Sequence, residues 1–518
     1  MSRYVVSLPV VVAGLAAAFL ALGLFSQTVY NTAHNEQMYV AAGYLLAQGK
    51  RLYRDFAFVQ MPYTPLVYAA VYSFSPGGYL LKAKLVNLLW LAVASGLLVG
   101  RAARVTQDRL LALLLLVLFL ADYYLLRAAI EASNYTLPIA ASLLAYGWLL
   151  RGVAEEAQPW TSALAAFGAG AALGVATGAK LYYLPLVAAF GLVSLLYPRG
   201  RPVAGRWVWG ALPLVAGLLV GLAPALVYAA RDLDRFLFNN LGYHTLNTLW
   251  REQNGFTDMG WRAKLEAARD LATNPNYLIL LLWLALAGLL RWNRRTEAGR
   301  APLIPARPGV ILAGGAAVIS LLAAFTPRPL FPQYFAMPVP FLLLWVAELA
   351  PGLPAPSRRL LRAFGVVIAV AGILAVLPRH TGSLRRLAAG EPWAGTVAIR
   401  ESQTLRRWLD ERGPVRNGTA WIATLSPVVA LESGLPFYPE LATGSFVYRI
   451  GDLLTPEERA RYVATSPTAL PALLDAHPPA AIFIGEEGEL EQPLLDYAER
   501  HGYQPAPHPF SEGQVFLR

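Results

Sequence analysis

The sequence predicts an α-helical multi-pass membrane protein of about eleven transmembrane helices. Interfacial helices occupy its first external loop, and a small C-terminal external α/β domain follows the membrane part. Three observations lead there. The 518 residues are 56% hydrophobic and only 14% charged, whereas soluble domains carry about 25% charge. Mean hydropathy is +0.45. Apolar runs long enough to cross a bilayer recur along the chain, with arginines gathered in the short loops between them.

The first run, Leu8 to Phe25, follows Arg3 and lacks a small-residue cleavage site, so it reads as an uncleaved signal anchor. Further runs lie near 83–100, 109–126, 135–150, 161–178, 181–197, 207–229, 276–290, 309–325, 333–350 and 363–377. With a cytoplasmic N-terminus, the inner loops hold Arg101, Arg104 and Arg109, then Arg151, then Arg199, Arg201 and Arg206. Arg291 to Arg307 and then Arg358, Arg359 and Arg362 complete them, an alternation that fits the positive-inside rule. This predicts a plasma-membrane protein whose residues 27–80 and 231–275, and everything after Leu377, lie outside. The outer face is basic too, through Arg231, Arg235, Arg251 and Arg262, which needs a separate explanation, such as an anionic ligand.

The net charge of +11 would suggest nucleic acid in a soluble chain, but here the arginines sit between membrane spans, which argues against that partner. Without cysteine there is no disulfide, thiolate nucleophile or thiolate metal site. The stretch "GAGAALG" at 168–174 lies inside an apolar run and reads as a helix-packing surface, and no GxxxxGK[ST] phosphate loop exists.

Within the first external loop, Met38, Tyr39, Ala42, Leu45 and Leu46 recur at helical spacing between Glu36 and Gly49, predicting an amphipathic helix on the membrane surface. A second interfacial helix follows in "MPYTPLVYAAVYSF", with Tyr63, Tyr68, Tyr72 and Phe74 suited to the headgroup region. From about residue 391 the character changes. "GTVAIRESQTLRRWLDERG" reads as an amphipathic helix, "TAWIAT" and "AAIFIG" as short buried strands, and "LEQPLLDYAERHG" as a helix closed by Gly502. The domains are therefore 1–377 in the membrane and 378–518 outside it.

Several residues carry candidate chemistry. Glu36 opens a helix, as a charge favoured by the helix dipole or as a general base. Glu131 follows Arg127 by four residues, an interfacial ion pair or a second acid; Asp55 beside Arg54 invites the same two readings. Lys180 ends a Gly/Ala-rich span ahead of "LYYLP", either snorkelling to the interface or meeting a phosphate. Arg328 lies in the Pro-rich turn "TPRPLFPQY" with Gln333 and Tyr334, a second phosphate candidate. His244 stands among Asn239, Asn240, Tyr243 and Asn247, side chains that bind sugar hydroxyls and are also common in exposed loops. The six histidines are scattered, which leaves oxygen-ligated Mg or Mn at Glu36 and Glu131 as the one metal option.

An acidic residue just after the first span, a helix ending "LLAQGKRLYRDF" and then "MPYTPLVYAAV" together resemble the C-type membrane glycosyltransferases. That superfamily includes protein O-mannosyltransferases, aminoarabinose transferases and oligosaccharyltransferases. "ASNYTLPIAASLLAYGWLL" at 132–150, "GVATGAKLYYLPLV" at 174–187, "FTPRPLFPQYFAMPVPFLLL" at 325–344 and the soluble domain after the last span match as well. The resemblance implies transfer of a sugar from a polyprenyl-phosphate donor to a glycan, lipid or protein acceptor at the outer face, with inversion. It casts Glu36 as the base, Glu131 as a second acid, and Lys180 and Arg328 as phosphate partners. Many members carry adjacent Asp-Glu where this chain has Asn35-Glu36. Either Glu36 acts alone, or the chain binds lipid-linked saccharides without turnover. A transporter or flippase is the remaining alternative. It would place ionisable residues and interrupted helices at the bilayer midplane in related halves, whereas here charges collect at the outer edge.

Overall fold

The computed structural model describes residues 7–257, 260–297, 307–415, 420–485, 487–511 and 513–518. Part of the predicted inner loop 291–307 lies outside them. Its first half runs α1 (Leu8–Tyr30), α2 (His34–Ala47), α3 (Tyr63–Phe74), α4 (Tyr79–Thr106), α5 (Arg109–Ala121), α6 (Tyr123–Ala129), α7 (Thr136–Gly152), α8 (Pro159–Ala179) and α9 (Leu186–Leu196). Then come α10 (Leu212–Arg231), α11 (Tyr243–Gln253), α12 (Trp261–Thr273), α13 (Pro275–Glu297), α14 (Pro308–Ala324), α15 (Val339–Leu349) and α16 (Ala355–Ala388).

Among the described residues five helices are long and apolar enough to cross a membrane, or up to seven when each of two bent pairs counts as one span. The expected eleven runs do not all form helices of spanning length. Those at 135–150 and 309–325 give α7 and α14, of 17 residues each. Those at 181–197 and 333–350 are cut by short 3₁₀ turns, leaving the 11-residue α9 and α15. Local chemistry explains the breaks. Pro185, Pro332 and Pro338 sit where the helices begin and cannot continue a preceding turn. Between α5 and α6, bent by 61°, Asp122 caps the second helix by accepting from the Leu125 N–H at 2.8 Å.

The glycine stretch at 168–174 packs α8 backbone to backbone against α10. A Cβ on Gly170 would strike the Leu214 carbonyl, and one on Gly217 the Phe167 carbonyl. Small residues permit that approach, and dispersion between closely apposed helices holds it. Gly217→Val is therefore expected to destabilise the protein by about 1–3 kcal/mol, the usual range for overpacking. Its melting temperature in detergent should fall accordingly.

The first of the first-loop helices is not one-sided: α2 is enclosed, burying Glu36, Met38, Tyr39, Val40, Ala41, Ala42, Gly43 and Leu45. Its small residues let α3 come close, with Tyr68 and Tyr72 packed over Gly43. Those tyrosines are core residues and not headgroup anchors: Tyr68 donates to Asn87 Oδ1 at 2.9 Å and Tyr72 to the Tyr79 carbonyl at 3.0 Å.

The C-terminal part covers the other side of α2. It begins with α17 (Ala394–Glu411), includes α18 (Ser445–Ile450) and α19 (Gln492–Arg500), and holds a four-stranded sheet of order β1-β2-β4-β3. β1 (Ile422–Thr424) pairs parallel with β2 (Ala481–Ile484), β3 is Gln504–Pro505, and β4 (Gln514–Leu517) runs antiparallel to both β2 and β3. The strands β1 and β2, the helices α17 and α19, and the positive-φ stop at Gly502 fall where the sequence placed them. Among the hydrogen bonds that dock this part, Glu432 accepts from Gly78 and Leu80 N–H at 2.8 and 3.0 Å, and Gln37 from Val428 N–H at 2.9 Å. α16 continues unbroken to Ala388, so the division placed at 377/378 falls inside a helix.

Candidate functional site

The first turn of α2 stands between two cavities, and its consecutive residues Asn35 and Glu36 line different ones. Glu36 Oε1 accepts from Lys84 Nζ at 2.5 Å and from the Ala132 N–H at 2.8 Å. Both side chains are buried, Glu36 to 2% exposure and Lys84 to zero. Burial disfavours the carboxylate and raises its pKa above the usual 4.5, while the Lys84 charge and the two hydrogen bonds oppose that rise without cancelling it. Glu131 is close by. Its Oε2 accepts from Asn35 Nδ2 at 3.2 Å, and its backbone carbonyl accepts from Asn87 Nδ2 at 2.5 Å. Burial raises its pKa as well, against the Asn35 hydrogen bond and the charges of Arg127, Lys84 and Lys180.

The larger cavity, about 460 Å³, is lined by the three cations Lys180, Arg328 and Arg449 and by no carboxylate among the described residues. Lys180 projects into an aromatic cage. Its Nζ lies 3.6, 5.2 and 5.6 Å from the ring centres of Tyr135, Tyr182 and Tyr334, and donates to Asn134 Oδ1 at 2.8 Å. Gln333, Tyr334 and His244 share this lining. Burial, with help from the Lys180 charge, draws His244 down to about 4, so at neutral pH its ring is uncharged and can only hydrogen-bond. The amide oxygens of Asn240 and Asn247 and the Ser133 hydroxyl are buried without a partner in the protein.

The smaller cavity, about 220 Å³, lies on the side of the C-terminal part, with Glu36, Glu401 and Glu487 facing it beside His34 and Arg386. His34 bridges the two parts of the chain, pairing through Nδ1 with Glu487.

The structure thus brings Lys180, His244, Arg328, Gln333 and Tyr334 to one cavity, while Glu36 lines the other and Glu131, hydrogen-bonded to Asn35, lines neither. Asp55, Arg54 and Arg127 line neither cavity. Asp55 pairs with Arg51 at 2.8 Å instead, and that hydrogen-bonded guanidinium holds its carboxyl below the usual range. Arg54 is exposed, and Arg127 is exposed in the last turn of α6. Lys84, Asn87 and Arg449 went unassigned in the sequence. For Lys84 the signal was present, since an ionisable residue inside an apolar span is a functional or paired residue by default. Asn87 and Arg449 carry no comparable mark.

At the Glu36 and Glu131 pair named for Mg or Mn, Glu36 Oε1 already accepts from the buried Lys84 ammonium. Among the described residues no three His, Asp or Glu side chains gather around one point.

No family model and no curated protein matches this chain. Solved structures do. ArnT from Cupriavidus metallidurans, bound to undecaprenyl phosphate, is 17% identical with a TM-score of 0.58, covering 98% of this chain and 97% of that one. The Archaeoglobus fulgidus oligosaccharyltransferase in its apo form is 10% identical with a TM-score of 0.50, covering 94% of this chain and 70% of that one. The chain therefore shares its fold with ArnT over nearly its whole length.

Proposed function

We propose that this protein is a membrane glycosyltransferase that takes a sugar from a polyprenyl-phosphate donor and passes it to an acceptor hydroxyl at the outer face of the membrane. The observation that carries the reading is the pair of cavities flanking the first turn of α2, one cationic and caged by aromatics, the other faced by the Glu36 carboxylate. ArnT, whose fold the chain shares, binds undecaprenyl phosphate, which supports a lipid phosphate in the cationic cavity.

In this reading the donor phosphate lies against Lys180 and Arg328, and the sugar reaches toward α2. The acceptor hydroxyl enters from the smaller cavity and gives its proton to Glu36. Its oxygen bonds to the anomeric carbon from the face opposite the phosphate, the bond from that carbon to the phosphate oxygen breaks, and the configuration inverts. Polyprenyl phosphate leaves with one more negative charge than the donor carried, and Lys180 and Arg328 stabilise that added charge. Lys84 keeps the buried Glu36 ionised and able to accept, and Asn35 holds Glu131 where many members of the superfamily have a second acid. His244, neutral, hydrogen-bonds sugar or phosphate.

The topology that goes with this reading has the N-terminus in the cytoplasm, residues 378–518 outside a plasma membrane, and the shorter helices α7, α9, α14 and α15 completing the spans. Lys180→Gln is expected to weaken polyprenyl-phosphate binding by about tenfold or more, the factor for one lost charged hydrogen bond. Titration of the purified protein in lipid nanodiscs measures it; unchanged affinity would remove the phosphate from this cavity. A protein that only binds lipid-linked saccharides would show the same binding and no turnover.

A further inference from the structure

Arg449 is the one cation of the larger cavity that the C-terminal part contributes, and the steps above do not use it. It stands on α18, in the segment "TGSFVYR", and reaches over α11. Its guanidinium lies 5.5 Å from the Trp250 ring centre and 5.1 Å from that of Phe446, and Nη2 donates to Tyr243 Oη at 2.8 Å. The Nε–H is buried with no partner, and no ion pair to a carboxylate is made among the described residues. A guanidinium stacked on aromatics with its fork only partly filled suits a planar or tetrahedral anion, which such a fork grips through parallel hydrogen bonds. On the same helix, α11, the Asn247 amide oxygen is buried and unpartnered, and the Asn240 amide oxygen just before it is likewise open. Those oxygens accept from hydroxyls, so the region around Arg449 offers contacts for a sugar bearing an acidic group.

We propose that Arg449 binds a second anionic group of the ligand, separate from the phosphate at Lys180 and Arg328: a carboxylate on the transferred sugar or a second phosphate. This rests on the reading of the larger cavity as a polyprenyl-phosphate site. Arg449 so placed makes the C-terminal part a specificity element of the cavity and not merely its cover.

The test uses two probe pairs that differ by one anionic group, with the full-length protein in nanodiscs: farnesyl phosphate against farnesyl diphosphate, and glucose 1-phosphate against glucuronic acid 1-phosphate. Wild type is expected to bind the more anionic member of one pair about tenfold more tightly. The pair that shows the preference identifies the source of the second anion. Arg449→Gln should erase that preference while leaving the singly phosphorylated probe unchanged, and Arg449→Lys, which keeps the charge without the fork, should restore it only in part. Equal affinity within both pairs on wild type, or an equal loss for all probes in Arg449→Gln, overturns the proposal while leaving the phosphate site intact. If farnesyl phosphate fails to bind and Lys180→Gln changes nothing, the parent reading falls and this one with it.

Discussion

Glu36→Gln is expected to lower the rate of sugar transfer by about 100- to 10,000-fold, the range a positioned general base supplies, with donor affinity unchanged. The side chain keeps its shape and loses only its capacity to take a proton. A complication is built into the site. Lys84 Nζ is fully buried and, among the described residues, its carboxylate partner is Glu36 at 2.5 Å, so the substitution leaves an uncompensated ammonium inside the protein. Breaking a buried pair from one side costs about 3–5 kcal/mol. The double variant Glu36→Gln/Lys84→Met removes that charge as well. It should recover most of the lost melting temperature and none of the activity, which separates a catalytic carboxylate from a structural one.

Lys84→Met alone carries the second large effect. Lys84 lowers the Glu36 pKa against the rise that burial imposes, so its removal lets that pKa climb further. A base works only when ionised, so the acid limb of kcat/KM should move to higher pH, and activity lost at neutral pH should return in part under alkaline conditions. A purely structural role would depress the rate equally at every pH. Stability should follow the same sign. The folded state holds the Glu36 proton above the usual value of 4.5, so it binds more protons than the unfolded chain, and stability falls as pH rises from there toward the folded pKa. In Lys84→Met that window widens upward. Melting curves across pH, read beside the rate profile, measure both.

The mostly helical, multi-pass architecture was legible because hydropathy reports directly on the solvent each segment meets. The glycine stretch at 168–174 likewise announced a helix contact, and the backbone-to-backbone approach of α8 and α10 is that contact. What hydropathy does not show is where an apolar run is broken. The stretches around Pro185 and Pro332 contain turns that hydropathy averages over, and their helices are correspondingly short. The pattern of Met38, Tyr39, Ala42 and Leu45 marks one buried face of α2, and it does not show that the C-terminal part covers the other face as well.

At the site, Lys180, His244 and the turn holding Arg328, Gln333 and Tyr334 come from three separate stretches of chain, each named in the sequence for its side-chain chemistry and not for a shared cavity, which only the packing of those stretches creates. Asp55 was nominated on the same grounds and instead pairs with Arg51, because a carboxylate four residues from an arginine is satisfied locally before it is needed elsewhere. That Asn35 and Glu36 face different cavities depends on the angle at which α2 enters between two layers, which no local pattern encodes.

The claim that the protein moves a sugar off a polyprenyl phosphate is tested most directly by turnover. The purified chain in lipid would be given a panel of radiolabelled polyprenyl-phosphate sugars with envelope extract as acceptor, and the release of free polyprenyl phosphate would be followed together with label in the acceptor. The account predicts that at least one donor is consumed, with both products appearing in equal amounts and neither appearing with Glu36→Gln. Tight binding of these donors with no product from any of them, under conditions where the protein stays folded, would contradict it.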